Sequence, residues 1–186
     1  MRALVISLLT LTASTSYATP SEILMIRHAE KPTSGPEGSD LSPRGYKRAA
    51  ALSELFTSDA RVTALGVASF IFAGAPKKTD GSQRPLETIQ PTANKLGLTV
   101  DVDFQSEDYD SLANELLANP KYDSKVVIIC WPHDQLPDFA NSLGVKQKLG
   151  WKGSVFDRVW KLDFVGGKLA NFEDLPQHLL KGDSSK

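Results

Sequence analysis

Residues 23–28 read Ile23-Leu24-Met25-Ile26-Arg27-His28. Four apolar residues without a polar interruption fit a strand buried on both faces, not one that alternates between core and water. The run stops at Arg27 and His28, so the strand carries a cation and a titratable ring at its carboxyl end. Val126-Val127-Ile128-Ile129-Cys130-Trp131 is the clearest second case, and His133 follows it closely. Between and around these runs the pattern alternates. Residues 32–40 are rich in Pro, Gly and Ser and read as a loop. Ser42-Pro43 fits an N-cap followed by proline at the first helical position, with Tyr46, Ala49, Leu52 and Phe56 behind it at helical spacing. A strand is expected over residues 67–73 and a polar loop over 77–83. A helix is expected from Pro85 to Leu96, closed by Gly97 and kinked or shortened at Pro91. Next come a short edge strand over 100–104, a helix over 109–117 and a short helix over 137–143. Two late strands, 155–164 and 168–172, flank the hairpin signal Gly166-Gly167. The polar tail after Leu180 reads as frayed. Strands alternating with helices, then a hairpin, predict an α/β fold: a three-layer α/β/α sandwich with a mostly parallel central sheet and a C-terminal antiparallel hairpin.

The 186 residues suit one domain, or one domain plus a removable segment. Met1-Arg2, a nearly continuous apolar run over residues 3–11 and Ser16-Tyr17-Ala18 have the layout of a secretory signal peptide. The expectation is cleavage near Ala18, a mature domain over residues 19–186, a secreted or periplasmic location and no stable membrane insertion after cleavage; an uncleaved anchor or a buried N-terminal helix is the alternative. The apolar run is shorter than the roughly 20 residues that span a bilayer. With 21 basic and 22 acidic residues, net charge is −1, and nothing points to nucleic acid. Anion binding must come from a local site. The single cysteine, Cys130, forms no disulfide within the chain and rules out zinc sites built on cysteine pairs.

Ligands of mostly parallel sheets sit beyond the carboxyl ends of the strands, where His28 and His133 fall. Arg84, at a helix start after a loop, adds charge next to free backbone N–H groups. Two arginines and two histidines converging on one cleft suit a phosphoryl group, which needs cations and donors around its oxygens. A neutral imidazole is a good nucleophile near pH 7, and neighbouring arginines disfavour its protonation. His178 reads as a surface residue. Cys130 as a cysteine nucleophile fails, because a Cys-x5-Arg loop would need arginine where Leu136 stands; it reads as core. Trp131 reads as core or cleft wall. Lys77 and Lys78 read as solvated, and Arg44 faces either the pocket or solvent. Ser82 and Thr88 suit either phosphate binding or helix-start capping.

Ile26-Arg27-His28-Ala29-Glu30-Lys31-Pro32 resembles the signature of the histidine phosphatase superfamily, the phosphoglycerate-mutase-like group. Leu41-Ser42-Pro43-Arg44-Gly45 resembles the segment that opens the family's first helix, and Ser82-Gln83-Arg84-Pro85-Leu86-Glu87-Thr88 the segment carrying its second arginine. Residues 126–133 resemble the strand that delivers its second histidine, and Arg158-Val159-Trp160-Lys161-Leu162 its late antiparallel strand. The resemblance runs in the family's order over most of residues 22–172. It implies that His28 is the nucleophile of a phosphohistidine intermediate and that Arg27, Arg84 and His133 bind the phosphoryl oxygens. It implies no metal and no cofactor, and a small phosphorylated substrate. For the proton donor, one branch points to the aspartate after the second histidine, Asp134, and others to the segment holding Glu107 and Asp108; Glu30 is a third option, or else a partner for Lys31 or Arg44. The expected activity is a metal-independent phosphomonoesterase. A mutase-type phosphotransferase and a poorly catalytic anion-binding module are the alternatives.

Overall fold

The computed structural model describes residues 19–33, 40–76 and 81–184. The expected signal segment, Lys77 and Lys78 lie outside these. Six strands form one sheet: β1 (Glu22–Arg27), β2 (Phe70–Ala73), β3 (Val100–Asp101), β4 (Val126–Trp131), β5 (Arg158–Val165) and β6 (Lys168–Pro176), in the spatial order β3-β2-β4-β1-β5-β6. β3, β2, β4 and β1 run parallel; β5 pairs antiparallel with β1 and β6 with β5. Among the described residues five α-helices cover it: α1 (Pro43–Ser58), α2 (Ala60–Thr63), α3 (Arg84–Leu96), α4 (Tyr109–Ala118) and α5 (Leu136–Ser142).

The uninterrupted apolar runs become central strands because both faces need covering. Along β1 and β4, Leu24, Ile26, Val126, Ile128 and Cys130 join a cluster with Leu52, Phe56 and Ile89 of α1 and α3. Ile23, Met25, Val127, Ile129 and Trp131 join Leu112, Leu116, Phe139 and Ala140 of α4 and α5 on the other face. The period of two along the strand thus separates two cores. From β1 to β2 and from β2 to β3 the chain moves one way across the sheet, with α1 and α3 on one face. From β3 to β4 it moves back, with α4 on the other, as right-handed crossovers require.

Several boundaries differ from expectation. β2 starts at Phe70, with Val67 exposed, and β3 is only two residues. Pro91 does not end α3, which runs on to Leu96 and closes at Gly97 in the left-handed region (φ 68°). Packing of Thr88, Ile89, Thr92 and Ala93 on both sides of the proline holds the helix through the missing bond. Tyr46 is exposed and donates to Glu87 Oε1 at 3.0 Å. Residues 155–157 precede β5 instead of belonging to it. The hairpin turn is as expected, with φ 58° and 79° at Gly166 and Gly167. The tail is not frayed as far as Ser184. The Asp183 side chain is 4% exposed, ion-paired with Arg48 at 2.7 Å, and accepts from the Leu179 and Leu180 N–H groups.

Candidate active site

β1 and β4 are neighbours, yet their following connections leave toward opposite faces, to α1 and to α5. The crevice this opens is the usual ligand position of such sheets. A cleft of about 430 Å³ lies there, lined by His28, Arg84, Ser106, Glu107, His133 and Asp134, with Pro76 and Pro132 among its walls. The sequence-predicted residues are therefore brought together, except that Arg27 is packed beside the cleft instead of lining it.

His28 is 8% exposed, and its Nδ1 lies 2.7 Å from the Ala29 carbonyl. A carbonyl only accepts, so this bond places the proton on Nδ1 and leaves the Nε2 lone pair for chemistry. Burial, joined by the charges of Arg27 and Arg84 and by His133, pushes the imidazole down to about 4 against the pull of the Ala29 bond. His28 is thus neutral across the physiological range. His133 is also lowered, first by burial and then by Arg27, with Asp134 opposing.

Arg27 is 2% exposed. Its Nη1 donates to the Gly153 and Val155 carbonyls at 2.8 and 2.9 Å, and Nε is buried with no partner among the described residues. Burial lowers it to about 10, so it keeps its charge. Arg84 stands at the first position of α3 and its Nε donates to the Asp40 carbonyl at 3.2 Å. Thr88 neither caps nor faces the cleft. Its hydroxyl donates to the Arg84 carbonyl at 2.6 Å and accepts from the Ala29 N–H at 2.8 Å, tying the residue after His28 to the helix of Arg84.

Glu30 is withdrawn from the donor candidates. Burial pushes its carboxyl up, but hydrogen bonds from Arg48 and Arg44 outweigh this and hold it below the usual range. Ser42 N–H donates to the Glu30 carbonyl at 2.8 Å, and a Cβ on Gly45 would lie 2.3 Å from that oxygen. The first turn of α1 docks on Glu30 only because residue 45 is glycine. Arg44 turns to Glu30 and the Lys181 carbonyl. Asp108 caps the Gln105 N–H. Glu107 and Asp134 remain, both exposed and both lining the cleft. Cys130 is fully buried with its thiol pushed up by burial, and His178 is exposed, as expected. Among the described residues no group of His, Cys, Asp or Glu is placed to hold a metal ion, and no helix is long and apolar enough to cross a membrane.

One contributor escaped sequence reading. Phe156 stacks on Arg27, whose Cζ is 3.8 Å from the ring centroid, and meets the His28 ring edge-on at 6.2 Å. Within an expected strand it carried no signal that could link it to an arginine 129 positions earlier.

The sequence matches no protein-family model and no curated protein. In structure the chain is similar to the protein histidine phosphatase SixA complexed with tungstate, at 12% identity and TM-score 0.56, covering 84% of this chain and 97% of that one. It is similar to a mycobacterial glucosyl-3-phosphoglycerate phosphatase at 13% identity and TM-score 0.57, with the same coverages. A phosphoserine phosphatase variant from Entamoeba histolytica, in complex with phosphoserine, gives 11% identity and TM-score 0.52, covering 81% of this chain and 95% of that one. At such identities the likeness establishes the fold.

Proposed function

We propose that this chain, which has the fold of the histidine phosphatases, is a phosphomonoesterase working through a phosphohistidine on His28. The observation that carries the reading is the free Nε2 of a buried, neutral His28 in a cleft shared with Arg84 and His133. Nε2 attacks phosphorus as the ester P–O bond breaks, and the leaving oxygen takes a proton from a carboxylic acid. Arg27, Arg84 and His133 hold the phosphoryl oxygens as charge builds on them. Water then attacks the phosphohistidine, returns a proton to the carboxylate and releases phosphate and neutral His28. Asp134 is the proposed acid, supported by its place beside His133 and Arg27; Glu107 is the second candidate. Small phosphorylated compounds are the proposed substrates, and export after cleavage near Ala18 the proposed route, resting on the N-terminal sequence alone.

Acid-labile, base-stable radiolabel on enzyme quenched during turnover, absent from His28→Ala, is the expected result. Full phosphatase activity in that variant overturns the mechanism. Asp134→Asn should slow alkyl phosphates far more than nitrophenyl phosphate, whose leaving group needs no proton. If Glu107→Gln shows that asymmetry instead, the donor is Glu107. Isomer formation in place of phosphate release would indicate a mutase, and phosphate binding without turnover a binding module.

A further inference from the structure

The segment 150–156 touches three of the four phosphate-site residues. The carbonyls of Gly153 and Val155 hold Arg27 Nη1. Gly153 lies so close to His133 that a Cβ there would be 3.2 Å from Nε2. The Phe156 ring covers Arg27 and borders His28. The segment is itself held in shape. Trp151 Nε1 donates to the Val155 carbonyl at 2.9 Å, Val155 N–H donates to the Lys152 carbonyl at 3.0 Å, and the Trp151 ring packs on Trp160 at 4.7 Å. Val155 O therefore accepts from both Trp151 and Arg27, linking the loop's anchor directly to the site.

Resting on the reading of His28 as nucleophile, we infer that Phe156 is a positioning residue, which orients Arg27 by cation–π stacking and shields the His28 imidazole from water. Two independent contacts carry this. The carbonyls fix one end of the guanidinium, but two bonds to Nη1 leave the plane free to pivot; the ring at 3.8 Å removes that freedom. It thereby aims Nε and Nη2, the donors not engaged by the loop, at a single place. The ring also borders His28 edge-on at 6.2 Å, and the charged or titratable groups around that imidazole are Arg27 from β1, Arg84 from α3, and His133 with Asp134 from the end of β4. Desolvation is the largest influence on that imidazole, so an apolar wall there bears on its protonation as well as on geometry.

The two effects separate by substitution. Phe156→Leu keeps the apolar wall and removes the π face; Phe156→Ala removes both; Phe156→Tyr keeps both. Inorganic phosphate binding by calorimetry and the His28 ring titration by NMR, assigned through its loss in His28→Ala, need no turnover. Phosphate affinity should fall about two- to thirtyfold in both Leu and Ala variants, the range of a desolvated cation–π contact. The His28 midpoint should rise by about one unit or more toward its ordinary value in the Ala variant only, and the Tyr variant should match the parent in both. Unchanged phosphate affinity in a folded Leu variant, or an unchanged His28 midpoint in a folded Ala variant, overturns the inference. Should Phe156→Ala not fold, the Leu and Tyr pair still decides the arginine contact. Ring-dependent shifts in a protein that forms no phosphohistidine would retain the placement of Phe156 and remove the nucleophile instead.

Discussion

The Thr88 hydroxyl serves two backbones at once. It closes the first turn of α3 on the Arg84 carbonyl and receives the N–H of Ala29, a fully buried residue directly after His28. The near-isosteric Thr88→Val leaves the buried Ala29 N–H without its partner. A loss of about 1–3 kcal/mol in unfolding free energy is expected. kcat should fall as well, because the loop carrying His28 is no longer tied to the helix carrying Arg84. Thr88→Ser should restore both, and urea unfolding beside steady-state kinetics checks the pair. Equal kcat in the Val variant would show that the tie is dispensable.

At the scale of elements, the segment from Gln177 to Ser184 behaves as part of the fold. Arg48, buried in α1, bonds Glu30, Gln177 and Asp183. Burial pushes Asp183 up, but hydrogen bonds from Arg48, Leu180 and Leu179 bring it down to about 2. Its folded value lies below its ordinary 3.8, so the stability it contributes is complete above that value and is lost as pH falls toward 2. Asp183→Asn should destabilise the protein at pH 7 by about 2–3 kcal/mol, the free energy of the shift from 3.8 to about 2, because Asn carries no charge for Arg48 to pair with. The deficit should shrink as pH is lowered through that window, followed by denaturant titration at several pH values. These contacts also show what the sequence made legible. β4 and α3 were readable because each announces itself locally, one by an unbroken apolar run and the other by a proline at its start and a glycine at its end. Residues 181–184 are all polar or glycine, and the partner that buries Asp183 lies 135 positions away. No local pattern contains that information. The same distance hid Phe156, whereas His28, Arg84 and His133 were found because each stands at the end or start of a readable element. Asp134 against Glu107 stayed open because both line the same cleft.

For the whole molecule, a charged cluster bridges the sheet's change from parallel to antiparallel. Lys161 of β5 faces Glu22 of β1 at 3.6 Å, Asp163 at 3.2 Å and Glu173 of β6 at 3.3 Å. Glu22 is completely buried, and both its carboxylate oxygens lack a hydrogen bond among the described residues. Burial raises it to about 7, with Asp163 adding to the rise and Lys161 opposing it. A carboxyl raised on folding is held protonated more tightly by the native state. Its contribution to stability is therefore greatest below its ordinary value of 4.5 and declines as pH rises from there through about 7. Glu22→Gln should flatten that decline and stabilise the protein at pH 8 by up to about 3 kcal/mol, with little gain at pH 4.5. Melting curves across pH test this; a parallel offset at every pH would show that Glu22 does not titrate in that window.

Among the described residues β1 is the first strand in chain order, and it sits in the middle of the sheet, between β4 and β5. Its partners Val126 and Asp163 are synthesised more than a hundred residues after Glu22. Asp183, which pairs with the Arg48 that also holds Glu30, comes after every strand. The emerging chain therefore has no stable sheet to form until its final third appears, since pairings so distant in sequence close slowly and late. Residues 22–125 therefore stay threadable until β4 and β5 are made.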